Sequence, residues 1–153
     1  MRRLASNGLA AFASAILTVS LACAWAVGRG ASPQWRLLFR PLCHGIVSRC
    51  LVVFGAPMPI CARCTAIYGG LLIGALLLRL VRAPRARTAR LLLIAAALPM
   101  ALDGVTQLLR LRESTNLLRV GTGAPFGIAL AIWLLSALQV PSAPGVDTSV
   151  HSP

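Results

Sequence analysis

Cys61-Ala62-Arg63-Cys64 places two thiols three residues apart, and Cys43-His44 lies upstream of them. At a turn or helix start, a CxxC pair lets both sulfurs reach one ion. Three thiols and an imidazole are a sufficient set for a tetrahedral zinc site, and zinc suits this mix of sulfur and nitrogen. Cys43, His44, Cys61 and Cys64 are therefore candidate ligands for Zn or another transition metal. Adjacent side chains diverge, so Cys43 and His44 bind one ion together less easily than a spaced pair.

The same residues permit a second chemistry. A CxxC pair at a helix N-terminus, beside the cation of Arg63, favours the thiolate. Cys61 and Cys64 would then cycle between dithiol and disulfide, with Cys43 or Cys50 supplying a second pair. Cys23 and Cys50 also read as small buried apolar residues, and His44 as a hydrogen-bonded interfacial one. Covalent haem attachment is set aside, because Thr65 follows Cys64 where a histidine is required.

Asp103 and Glu113 are the candidate catalytic carboxylates. Asp103 stands in an otherwise apolar run, where a charge costs ~2.5–3.5 kcal/mol on insertion scales. It must face a polar cavity, a metal, a proton, or an arginine such as Arg63 or Arg110. It can ligate the metal, support a ligand, act as a general base, or form a structural ion pair. Glu113, beside Arg112 in a turn, reads more readily as half of a solvated pair. Arg63, Gln107, Arg112, Asn116 and Arg119 complete the polar set and would receive an anion, such as a phosphate-bearing lipid or another small-molecule substrate.

The elements that must position these residues are membrane spans. The chain has 153 residues, 58% hydrophobic and 12% charged, with fifteen basic residues and three acids. Mean hydropathy is +0.80. So few charges cannot cover a soluble domain of this apolarity, which excludes a disordered chain and argues for the lipid bilayer as partner. The fold class expected is all-α, a multi-pass helical bundle with spans at about 4–28, 60–78, 91–109 and 120–140 in one domain, 1–140. Residues 141–153, rich in Pro, Ser and Gly, read as a disordered tail. The first apolar run is longer than a signal-peptide core, so it reads as a retained helix. Between the first two spans, residues 50–54 are apolar but too short to cross, and suggest a short interfacial or re-entrant helix. Ala66, Gly70 and Gly74, and Gly123, Gly127 and Ala131, recur at four-residue spacing and suit close helix packing in lipid.

A net charge of +12 would suggest nucleic acid in a soluble protein. Here the arginines sit at span ends, so no nucleic-acid partner is expected. Arg79–Arg90 holds five arginines in one short loop, which the positive-inside rule puts in the cytoplasm. Both termini then lie inside and the Cys/His site on the outer face of the cytoplasmic membrane, although seven arginines fall on each side. In either orientation, Cys43, His44, Cys61, Cys64, Asp103, Gln107, Glu113 and Asn116 share one side.

Taken together, these motifs resemble the domain of unknown function 2085 family of small prokaryotic membrane proteins. The resemblance rests on Cys43-His44, on Pro59-Ile60-Cys61-Ala62-Arg63-Cys64-Thr65-Ala66-Ile67-Tyr68, on Asp103-Gly104-Val105-Thr106-Gln107, and on Arg112-Glu113-Ser114-Thr115-Asn116 with Leu118-Arg119 and Thr122-Gly123. Ala66 stands where that pattern has glycine. The resemblance implies a multi-pass membrane protein whose Cys, His, Asp and Arg-Glu-Ser-Thr-Asn residues form one unit, and it implies no activity.

The first functional reading is thus a one-sided metal site, structural or catalytic. The second is a quinone-linked thiol oxidoreductase, whose four spans and outward cysteines look like disulfide bond formation protein B and the vitamin K epoxide reductase group in architecture alone. The third is a non-catalytic assembly or transport component.

Overall fold

The computed structural model describes residues 2–138; the expected tail lies outside them. Four helices dominate: α1 (Arg2–Gly28), α2 (Ala62–Leu80), α3 (Ala86–Leu108) and α4 (Asn116–Ala137). Each is long and apolar enough to cross a membrane. At 1.5 Å per residue the shortest, α2 with 19 residues, reaches about 28 Å, close to a hydrocarbon core of about 30 Å. The chain is a multi-pass helical membrane protein.

The start of α4 follows capping rather than hydropathy. Thr115 caps α4, its Oγ1 accepting from the Leu118 N–H at 3.3 Å. That places the polar residues Asn116 and Arg119 inside the helix rather than in the preceding turn. The start of α3 runs through Arg87 and Arg90, because arginine is a good helix former even where the bilayer ends. Pro99 and Pro125 lie inside α3 and α4, each of which continues as one helix.

α2 is the centre of the bundle, packed between α1 and α4, while α3 lies against α4. The small residues make the α2–α4 contact. A Cβ on Gly70 would stand 2.3 Å from the Ala124 carbonyl oxygen, and one on Gly127 would stand 2.2 Å from that of Ile67. No side chain fits there, so the two backbones touch and gain dispersion contacts along the seam. Ala66, Gly74, Gly123 and Ala131 are buried in the same seam. Leu91, Leu98, Leu102 and Val105 of α3 point outward, as a lipid-facing surface requires.

The connection between α1 and α2 is the irregular part. Short 3-10 turns run over Pro33–Phe39 and Val47–Arg49. The stretch 50–54 is not helical. Its first residues form β1 (Cys50–Val53), which pairs antiparallel with β2 (Ala56–Cys61). Phe54 and Gly55 turn the hairpin with φ of 55° and 76°, the geometry of a type I′ turn. β-branched Val52 and Val53 next to that turn favour strand over helix. Gly28 lets the hairpin dock on the end of α1, because its missing Cβ would meet the Phe54 oxygen at 2.2 Å. Beneath it, Ile16, Ala24, Phe39, Met58 and Ile60 form a buried apolar cluster. The hairpin, the C-terminal ends of α1 and α3, and the N-terminal ends of α2 and α4 therefore gather at one end of the bundle.

Candidate metal centre and arginine network

β2 leads directly into α2, and Cys61 is the residue at the junction. It is the N-cap of α2 with extended backbone (φ −69°, ψ 159°), and its Sγ accepts from the Cys64 N–H at 3.5 Å. Cys64 lies one turn further on the same face. Cys43 follows the first 3-10 segment, its N–H donating to the Phe39 carbonyl at 2.9 Å. Its Sγ accepts from the Cys61 N–H at 3.3 Å. The three sulfurs all lie within 4.8 Å of one another. Thiolates around one zinc ion at about 2.3 Å are spaced about 3.8 Å apart, so small side-chain movements suffice to bind one.

The surroundings are apolar, with Cys43 buried against Ile60, Met58 and Phe39 and with Cys61, Cys64 and Tyr68 packed on the same cluster. Hydrogen bonds from the Cys61 thiol, and then from that of Cys64, hold the Cys43 thiol far below its usual range against the opposing effect of burial. Cys50, paired across the hairpin with Cys61, has its thiol pushed up by burial, opposed by the Arg36 cation. Arg36 Nη2 donates to the carbonyls of Gly45 and Met58, both at 3.2 Å, and so ties the loop that carries Cys43 to β2.

Arg63, between the two helix cysteines, points away from the sulfurs. It ion-pairs with Asp103 of α3. Asp103 is 3% exposed and is fully engaged. Its Oδ1 accepts from Arg112 at 2.9 Å, and its Oδ2 accepts from Arg63, from Gln107 Nε2 at 2.9 Å and from Ser114 Oγ at 3.1 Å. Gln107 turns its amide oxygen to Arg119 Nη2 at 3.2 Å, and Arg119 Nη1 donates to Asn116 Oδ1 at 2.9 Å. Asn116 Nδ2 donates to the Cys50 carbonyl at 3.3 Å, closing the network back onto the hairpin. Above it opens a cavity of about 840 Å³.

The residues singled out from sequence thus fall into two adjoining clusters rather than one. Cys43, Cys61 and Cys64 form the first. Arg63, Asp103, Gln107, Arg112, Asn116 and Arg119 form the second. His44 is exposed and is not part of the three-sulfur group, because the chain turns through Gly45 in left-handed conformation (φ 57°) immediately after it. Asp103 is likewise held by arginines and not grouped with the sulfurs. Glu113 is exposed on the cavity rim. Arg110, expected as a possible partner of Asp103, lines the cavity instead, and Arg112 takes that place. Ser114, part of the Arg-Glu-Ser-Thr-Asn motif, bonds Asp103 directly, and Arg49 is a cavity residue that the sequence did not single out. For Ser114 and Arg110 the signal was the density of polar residues from Arg110 to Asn116; Arg49, in the connection between α1 and α2, carried none.

A bundle of four apolar helices with a thiol cluster and a buried acid–arginine network at one end defines a class of small integral membrane proteins. The chain belongs to the family described as "Predicted membrane protein (DUF2085)", which it matches over residues 43–133. An uncharacterized protein of Methanocaldococcus jannaschii is 38% identical over 100 residues, covering 61% of this chain and 62% of that protein. The chain thus spans less than two thirds of that relative's length. An uncharacterized protein of Methanothermobacter thermautotrophicus is 39% identical over 94 residues, covering 61% of this chain and 85% of the relative. No solved structure matches.

Proposed function

We propose that this membrane protein binds one transition-metal ion of the zinc type through Cys43, Cys61 and Cys64. The observation that carries the reading is the approach of three sulfurs to within 4.8 Å of one another. Their setting supports it: Cys43 is buried, and Cys61 and Cys64 pack half-buried on the same apolar cluster, which shields an ion held there from competing water. In the structural form of this function the ion staples the hairpin to the start of α2. In the catalytic form the fourth coordination position takes a water or a substrate atom. Glu113, exposed on the cavity rim, is then the carboxylate free to move a proton, and Asp103 positions Arg63 and Arg112. The protein resides in the cytoplasmic membrane, with the five-arginine segment 79–90 inside and the cysteine end outside.

Elemental analysis of protein purified in mild detergent tests this. The expected result is about one zinc per chain, lost together in Cys43→Ser and Cys61→Ser. Metal-free protein whose Cys61 and Cys64 resist alkylation until reduced overturns it. That outcome favours the thiol reading, in which the dithiol gives two electrons and two protons to a quinone-type acceptor as the disulfide forms.

A further inference from the structure

Arg119 is a buried guanidinium, 6% exposed, whose side-chain partners are the neutral amide oxygens of Asn116 and Gln107. Among the described residues there are two salt bridges, and both end on Asp103, from Arg63 and Arg112. One carboxylate therefore answers three guanidiniums. Arg49 and Arg110 line the same cavity, and its rim adds one further carboxylate, that of Glu113. Five arginines face two acids, an excess of three positive charges around a single cavity. A buried cation with no counter-charge is costly unless an anion joins it.

Arg110 adds an independent observation. α3 ends in a Schellman motif, with the Arg110 N–H on the Gln107 carbonyl at 3.1 Å and the Leu111 N–H on that of Thr106 at 3.0 Å. This puts Arg110 in the left-handed region at φ 56°. α1 ends in the same motif, and there the residue is Gly30 at φ 96°. Glycine adopts this conformation freely, whereas a residue with a Cβ is strained in it. An arginine held there at the cavity edge is strain kept at a site, the pattern expected where the side chain is used.

We infer that this cavity binds a phosphate group, with Arg119 at its floor and Arg110 at its edge. Guanidinium forks match phosphate oxygens in pairs, and the excess positive charge suits a dianion. At about 840 Å³ the space is much larger than a phosphate alone, so the group arrives on an ester. Asp103 lies five residues from the end of α3, about 7.5 Å along the axis, near the depth of a headgroup layer of about 5–7 Å. The phosphate ester is therefore either a lipid headgroup or a soluble molecule from the adjoining water, and the experiment separates these.

The full chain in neutral detergent at physiological salt is titrated with inorganic phosphate by calorimetry. In parallel, the full chain in phosphatidylcholine nanodiscs with and without phosphatidic acid is assayed for bound phosphatidic acid by native mass spectrometry. Saturable binding of about one inorganic phosphate per chain supports a soluble phosphate source. Retention of phosphatidic acid without binding of inorganic phosphate supports the lipid headgroup. In either case Arg119→Gln weakens binding at least tenfold, and Arg110→Gly weakens it at least threefold while unfolding no earlier than the parent. Should Arg119→Gln fail to fold, Arg110→Gly carries the test. Arg87→Gln, at the opposite end of the bundle, leaves binding unchanged. Binding of neither probe above the chloride and phosphatidylcholine controls overturns the inference. So does binding that survives both cavity substitutions, or an equal loss in Arg87→Gln, which would mark the effect as net charge alone.

Discussion

Arg63 stands between the two cysteines of the CxxC pair and closes an ion pair with Asp103, forty residues further along the chain. One residue therefore links the sulfur cluster at the start of α2 to the acid–arginine network at the end of α3. The link is mechanical as well as electrostatic. A Cβ on Gly123 of α4 would stand 2.9 Å from the Arg63 carbonyl oxygen, so the turn carrying Arg63 is clamped between α3 and α4.

Asp103→Asn separates a role in the network from a role at the metal. The substitution leaves Arg63 and Arg112 without a charged partner, and both are partly exposed, which softens the loss. The expected destabilisation is about 2 kcal/mol, read from denaturant unfolding in detergent. Bound zinc stays at about one per chain, because Asp103 is not among the gathered ligands. Loss of zinc at unchanged stability would contradict this assignment.

Cys43→Ser, Cys61→Ser and Cys64→Ser each abolish metal binding, whereas His44→Ala retains it, since the imidazole is exposed and outside the sulfur group. Metal content also falls on acidification, because protons compete with the ion for thiolates. Elemental analysis across a pH series checks the direction: affinity that rises as pH falls is incompatible with thiolate ligation.

Gly127→Ala and Gly121→Ala, six residues apart on α4, should move stability in opposite directions. A Cβ at 127 meets the Ile67 oxygen at 2.2 Å and forces α2 from α4, for a loss of about 1–3 kcal/mol. A Cβ at 121 meets nothing within 4 Å, so alanine there stabilises the helix by up to about 1 kcal/mol. Thermal unfolding of the two variants in the same detergent decides it.

Ser48→Cys and Arg82→Cys place thiols at opposite ends of the bundle, in exposed loop positions. A membrane-impermeant maleimide applied to intact cells is expected to label position 48 and spare position 82. The reverse pattern would invert the proposed orientation and leave the fold unchanged.

The number of spans, the shared side of the polar residues and the small-residue seam were legible from sequence, because each rests on a local pattern. Apolar run length fixes crossings, and four-residue spacing puts Gly70 and Gly74, or Gly123 and Gly127, on one helix face. The hairpin was not legible as such. A short apolar stretch at 50–54 fits strand or helix alike, and the turn at Phe54-Gly55 lacks the usual Asn-Gly signal.

Sequence alone determined that the candidate chemistry lies at one end of a helical membrane bundle, since alternating spans leave no other choice. Only the tertiary structure decided how those residues divide. Side-chain direction sends Cys61 and Cys64 toward Cys43 and sends Arg63, between them, toward Asp103. It turns His44 outward and leaves Arg119 buried among amides. A helix rotates its side chains by about 100° per residue, so neighbours in sequence face different partners, and which partners wait there depends on helices tens of residues away.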